Sequence, residues 1–464
     1  MRLFRTLGVT IVATFMAGLA MAQVPNPTVS GPIPSTAAPG DPSRNYPFFA
    51  THVDLAAWGY VEEEFVFEGT ANRYTTTPPL ETATFVDGAH PYRTRMLVRR
   101  PVATPFNGTV VVEWLNVTNG LDMENTFYQM DEHLLRRGYA WVGVSVQRIG
   151  VNRLRTWSPA RYGDLDVSRR NADGTETFTN DALQHDIFSQ AVQAIRQPSG
   201  TAPLGPLRAQ RVIATGHSQS AMRLVGYINQ VHPLARVVDA FALHGSLGNA
   251  VREDLLVPVA KILSEYDVRA LEFPVRRPDA ALFRTWEVAG TSHNDRKAYI
   301  SRVLLQLRDI GTNVEASLNC TFMPPGSAVP FHHVMAAAID YLNEWVRDGR
   351  PMPSAPPLEF VPGANPRELV RDQFGMAKGG IRLAAVEVPT AVSSGTNFGP
   401  GACDRWGYSD PLPDQTLQQL YPSQADYMAK VIKAAFDNVK AGYILPMDAK
   451  ATVREAAQSG VGSR

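Results

Sequence analysis

Residues 211–228 read RVIATGHSQSAMRLVGYI. A short apolar strand enters Gly216-His217-Ser218-Gln219-Ser220, and a run with helical spacing leaves it. This is the setting of a nucleophile elbow, in which a serine sits on a tight strand-to-helix turn with its hydroxyl exposed. Glycine at 216 relieves crowding in the turn, and a small residue at 220 lets the helix approach the strand. The helix N-terminus favours negative charge developing beside Ser218. The chemistry on offer is attack on a carbonyl. The usual pattern is G-x-S-x-G, and here Ser220 takes the last place. Two other G-x-S triplets begin at Gly290 and Gly407, but neither has a small fifth residue or lies between a strand and a helix. An ordinary serine at a tight turn is the plainer alternative.

A serine hydroxyl is a poor nucleophile at neutral pH and needs a base, itself oriented by an acid. In this chain order both are expected after later strands. The acid should follow VPVAKIL, where Ser264-Glu265-Tyr266-Asp267 stands. Asp267 is preferred; Glu265 is the alternative acid, otherwise a surface carboxylate or a partner of Arg269. The strand RTWEVAG runs into Thr291-Ser292-His293, so His293 is the expected base. His332 and His333 are alternative bases, with a plainer reading as residues at a helix start. His217 is expected to line the pocket. His244, at a strand end, reads equally as a packed side chain or a substrate contact. The oxyanion donors are expected to be the backbone N–H groups of Gln219 and Asn116, the latter in the loop after TVVVEW. Asn116-Val117-Thr118 is also a glycosylation sequon; a glycan there would block the site, so the sequon reads as incidental.

Positioning these residues requires a sheet. Residues 60–67 and 92–99 alternate and look antiparallel. Residues 109–114 and 139–146 are continuous apolar runs, as in strands buried on both faces, with a helical run at 124–137 between them. Strand, helix, strand implies a parallel βαβ unit. The alternation continues with a helix at 181–196, strands at 211–215, 237–244, 257–263 and 284–289, and helices at 218–231, 333–347 and about 423–440. The fold class is α/β, one large, mostly parallel sheet with helices on both faces. Residues 46–464 are expected to form one domain, with cap-like insertions near 150–180, 295–332 and 350–412.

The N-terminus bears on compartment. Arg2 and Arg5 precede an apolar run from Leu7 to Leu19, then Ala20-Met21-Ala22, a small-x-small cleavage signature. Residues 1–22 read as a secretory signal peptide, with an uncleaved anchor as the alternative, and 23–45 as an extended Pro/Gly/Ser-rich leader. An exported protein, periplasmic or extracellular, is expected, with no stable membrane span after cleavage. Cys320 and Cys403 are the only cysteines. In an oxidising compartment such a pair suggests one disulfide; two separate buried thiols are the alternative. With 44 basic and 44 acidic residues the chain lacks the basic field of a nucleic-acid binder. No metal-ligand spacing or phosphate loop appears, so neither metal nor cofactor is expected. The sequence leaves oligomeric state open.

These residues resemble the α/β-hydrolase superfamily. More narrowly, VVVEWLNVTNG, RRGYAWVGVSVQ, VIATGHSQSA, VVDAFALH, RTWEVAGTSHND, DYLNEWVRDGRPMP, FGMAKGGIRLAAVEVPTA and ACDRWG are similar to stretches of a large family of exported or cytoplasmic proteins known chiefly by an α/β-hydrolase domain. The resemblance covers most of the chain from about residue 50. It implies the fold, a Ser-acid-His triad and hydrolysis of an acyl bond, and says little about substrate. The resulting expectation is a serine hydrolase acting on a small carboxylic ester or lactone. An amidase or peptidase with the same triad, and a non-catalytic binding protein on this fold, are the alternatives.

Overall fold

The computed structural model describes residues 24–313, 315 and 318–463. The expected signal segment lies outside them. Ten strands form one sheet: β1 (Thr28–Ser30), β2 (Tyr60–Tyr74), β3 (Phe85–Pro101), β4 (Thr109–Trp114), β5 (Ala140–Val144), β6 (Ser199–Gly200), β7 (Arg211–His217), β8 (Ala240–His244), β9 (Val259–Ser264) and β10 (Phe283–Val288). Their spatial order is β10-β9-β8-β7-β4-β5-β3-β2-β1-β6. The strands from β5 to β10 in that order run parallel. Every residue of β4 and β9 is buried, which is why these strands carry continuous apolar runs. The long β2–β3 hairpin pairs antiparallel and joins the parallel strands through β5.

Parallel strands require crossovers, and the helices supply them: α1 (Asn125–Arg136), α2 (Arg148–Trp157), α3 (Gln184–Arg196) and α4 (Gln219–Gly226). From β4 the chain steps through α1 to β5 on one side; from β7 it steps through α4 to β8 on the other. Right-handed crossovers then put α1 and α4 on opposite faces. A crevice opens where the two directions diverge, at the carboxyl ends of β4 and β7. The one carboxylate in β4 serves this junction. Glu113 accepts from the Thr126 and Phe127 N–H groups at 2.7 and 3.0 Å, and from Trp141 Nε1 at 3.0 Å. It thereby satisfies the first turn of α1.

The longer helices that follow are α5 (Arg296–Ile310), α6 (Phe331–Asp348), α7 (Gln424–Ala441) and α8 (Pro446–Gln458). Helix α6 packs on α1 and on β7, β8 and β9. Sequence periodicity does not reveal α5 or α8. The side chains α5 buries include Ser301, Arg302, Gln306 and Asp309, and α8 buries only Asp448 and Ala456, so neither has an apolar stripe to read. The leader also differs from expectation. Residues 28–30 pair antiparallel with β2 and parallel with β6, so the leader adds a strand to the sheet edge. No helix among the described residues is long and apolar enough to cross a membrane.

Candidate active site

Ser218 stands between β7 and α4 with φ 59° and ψ −120°. That positive φ is strained for a residue with a side chain, and the surrounding turn holds it. A Cβ on Gly216 would come 2.9 Å from Ser220 Oγ and 3.0 Å from Ser220 C, so a larger residue at 216 would push on the turn. Ser220 braces the turn: its Oγ accepts from the His217 N–H and donates to the His217 carbonyl, both at 3.0 Å. A glycine in the fifth place of the motif could make neither bond.

His293, in the loop after β10, meets Ser218 and the first turn beyond β9. Its Nε2 lies 2.8 Å from Ser218 Oγ and its Nδ1 2.5 Å from Asp267 Oδ1. A carboxylate can only accept, so Nδ1 donates and Nε2 is left to accept the serine proton. Asp267 Oδ2 accepts from the Ser264 N–H at 2.8 Å and Ser264 Oγ at 2.7 Å. Burial pushes the Asp267 carboxyl up, but His293 and Ser264 together hold it below the usual carboxylate range. Gly245, at φ +58°, leaves room for the pair; a Cβ there would stand 3.1 Å from Asp267 Oδ2 and 3.2 Å from His293 Nδ1.

The other sequence candidates fall elsewhere or take different tasks. Glu265 is buried and does not face His293. It pairs with Arg371 at 2.6 Å and accepts the Gly290 N–H at 2.9 Å, which corrects both its reading as the alternative acid and its suggested pairing with Arg269. Arg269 instead donates to Thr396. His332 and His333 line a separate cavity between α6, α7 and α8, away from Ser218. The Asn116 N–H donates to the Met123 carbonyl at 3.0 Å, so it is not available to an oxyanion, and that expectation is corrected. Its neighbour, the Val117 N–H, reaches only Gln219 Oε1, at a weak 3.5 Å. The Gln219 N–H opens α4 and has no intrahelical partner.

His217 lines the cleft and is held as a neutral ring. Asn125 Oδ1 takes two N–H groups of Arg302, so Asn125 Nδ2 donates to His217 Nδ1 at 3.1 Å. His217 Nε2 then donates to the His293 carbonyl at 3.0 Å. Burial, with His244, His293 and Arg302 nearby, keeps its pKa well below the ordinary value. His244 packs on His217 at 4.2 Å, with the rings inclined by 43°, and against Phe331, without lining the cleft.

The cleft above Ser218 has a volume of about 140 Å³. Asn294, Arg302 and Leu318 form one wall and Ala402, Arg405 and Trp406 another. The Cys320–Cys403 disulfide ties these walls together. Two of the expected insertions therefore shape the cleft, while 150–180 contributes no residue to its lining. Sequence reasoning misses Asn125, Gly245, Ser264 and Arg302. One of them had a signal: Ser264-x-x-Asp267 has capping-box spacing, which favours Asp267 over Glu265.

The sequence family described as alpha/beta hydrolase domain matches residues 29–454. The chain belongs to this family. Among solved structures, this α/β hydrolase is similar to a ferulic acid esterase from Streptomyces cinnamoneus, at 12% identity and a TM-score of 0.33 over 66% of this chain and 94% of that one. It is also similar to acetyl xylan esterase 1 from Thermoanaerobacterium, at 11% identity and a TM-score of 0.23 over 42% and 50%. A dienelactone hydrolase from Anabaena variabilis gives 12% identity and a TM-score of 0.24 over 38% and 69%. Likenesses this distant add nothing to the family assignment. No curated protein matches the chain.

Proposed function

We propose that this α/β hydrolase is an exported serine hydrolase that cleaves a carboxylic ester or lactone. The observation that carries the reading is one imidazole touching both a serine on an elbow and a buried carboxylate, His293 between Ser218 and Asp267. Ser218 Oγ attacks the ester carbonyl while His293 Nε2 takes its proton. Asp267 holds the imidazole through Nδ1–H and balances the charge the ring acquires. The carbonyl oxygen, now negative, lies toward the N–H groups of Gln219 and Val117. The intermediate collapses, the C–O bond breaks, and the alkoxide leaves with the proton from His293. Water, deprotonated by His293, then attacks the acyl-enzyme; the acid departs and Ser218 regains its proton. Export is supported by the basic, apolar, small-x-small start of the chain and by the disulfide.

A fluorophosphonate probe tests the reading. Ser218 should become labelled in the wild-type protein and the label should be absent from Ser218→Ala. Esters should turn over well ahead of the matching amides, since an amide carbonyl is less electrophilic and an amine is the poorer leaving group. A folded wild-type protein that takes no label would sink the assignment, and faster amide turnover would reassign it to an amidase.

A further inference from the structure

The cleft holds more positive charge than its one acidic lining residue balances. Arg302 is buried, yet its hydrogen bonds go to neutral oxygens. Nε and Nη2 donate to Asn125 Oδ1 at 3.1 and 2.8 Å, and Nη1 donates to Asn294 Oδ1 at 2.8 Å. A guanidinium carries five N–H groups, so one on each terminal nitrogen is left without a partner among the described residues. Glu315 is the single carboxylate lining the cleft, and it stands 3.9 Å from Arg302, beyond hydrogen-bond range. Its Oε1 is held by Asn119 at 3.3 Å, and its Oε2 is buried with no partner among the described residues. At the mouth, the exposed Arg405 makes no ion pair among the described residues.

A buried cation whose hydrogen bonds all go to amide oxygens, with the Glu315 carboxylate at 3.9 Å and the Trp406 ring centroid at 5.7 Å, lacks the hydrogen-bonded ion partner a buried charge normally has. Its spare N–H groups belong to the planar fork that takes a carboxylate two-pronged. We propose that the substrate of this cleft is an ester that also bears a free carboxylate, received by Arg302, with Arg405 drawing the anion in. The proposal rests on the serine-hydrolase reading of the same site. Glu315 acts against the substrate here, because its charge competes for Arg302. A neutral hydroxylated substrate would instead use the free Glu315 oxygen as an acceptor. The two substrate classes therefore predict opposite effects of removing the Glu315 charge.

The test compares kcat/KM within two matched pairs. Monomethyl glutarate against methyl pentanoate places the carboxylate on the acyl side. 3-Acetoxybenzoate against 3-acetoxybenzamide places it on the leaving group. In at least one pair the charged member should be favoured by about tenfold or more, the scale of one hydrogen bond to a charged group. Arg302→Gln should bring that ratio toward one, and Glu315→Gln should raise it a few-fold. Arg405→Gln should lower the ratio a few-fold and flatten its dependence on salt. Arg302→Gln also disturbs Asn125 and Asn294, so the other two variants carry the test if it fails to fold. Overturning results are a ratio at or below one in both pairs for enzyme that labels at Ser218, or a ratio that falls in Glu315→Gln. Absence of labelling is a separate outcome: it removes the serine reading and this proposal with it.

Discussion

The two cavities that hold the candidate bases differ in what the imidazoles touch. Beside Ser218, His293 uses both ring nitrogens, one on a carboxylate and one on a hydroxyl. The second cavity, about 300 Å³, is walled by apolar side chains such as Leu383, Val388, Tyr427 and Ile444, with His332 and His333 at the start of α6. The two rings pack at 4.4 Å, and His333 Nδ1 is buried with no partner among the described residues. Burial draws the His333 pKa down to about 4, so that ring is neutral at pH 7. What separates the two sites is orientation. A neutral imidazole acts as a base only when one nitrogen is fixed by an acceptor and the other is aimed at the proton it takes. The strand-end loop gives His293 both contacts, and the helix start gives His333 neither.

The largest expected effect breaks that comparison directly. Ser218→Ala and His293→Ala should each lower ester turnover by roughly four orders of magnitude or more. His332→Ala and His333→Ala should retain measurable turnover and probe labelling. Steady-state kinetics on folded protein, checked by circular dichroism, decide the matter. Loss of labelling in His333→Ala with retention in His293→Ala would reverse the two roles.

Next in size is the contrast between two buried carboxylates two residues apart. Asp267→Asn should reduce kcat by roughly three to four orders of magnitude, because an amide at that position no longer selects the working tautomer. Glu265→Gln weakens the Arg371 pair and the Gly290 contact. Its effect should appear as a stability loss of about 3 kcal/mol, with turnover per folded molecule largely kept. Denaturant unfolding and kinetics run on both variants separate these outcomes.

The same contrast marks how far the sequence could be read. The parallel strands were legible because burial on both faces writes itself as apolar runs, and the elbow because a strand, a glycine and a helix bracket one serine. His293 was placed in order by its strand. Asn116 was not read correctly, because whether its N–H is free depends on a turn closed by Met123, which no local pattern announces. Arg302 was invisible for a different reason. It lies on a helix that buries polar side chains, so no periodic pattern sets it apart from an arginine on a surface. The expected disulfide is present, and its structural meaning came only with the fold: it ties the cleft walls and leaves the second cavity alone.

That difference gives the third prediction. Cys320→Ser with Cys403→Ser should destabilise the protein by up to about 4.5 kcal/mol, the chain-entropy value for a closed loop spanning 83 positions. The loss should be accompanied by slower probe labelling, since Leu318 and Ala402 line the cleft beside the two cysteines. Thiol titration of unfolded wild-type protein should find no free thiol. Two thiols per chain would exclude the bridge, and unchanged labelling in the double variant would show that the walls hold without it.

The smallest expected effect concerns pH and returns to the second cavity. His333 has a pKa of about 4 in the folded protein against an ordinary value near 6.5, and burial is the main cause. His244 is held lower still, at about 3, again chiefly by burial. A histidine depressed in this way takes up its proton on unfolding before it can in the fold. Between pH 6.5 and pH 4 the unfolded chain therefore binds more protons, and stability falls as pH is lowered through that window. Above pH 6.5 both states are neutral at these rings and the contribution vanishes. At pH 5 each such ring should cost on the order of 1–2 kcal/mol. His333→Gln removes one of them outside the Ser218 cleft. Its unfolding free energy, measured by urea titration from pH 7 to pH 5, should fall less steeply than wild type by up to one proton. An unchanged slope would mean that His333 takes up its proton in the folded state, and the contrast between the two cavities would then rest on geometry without charge.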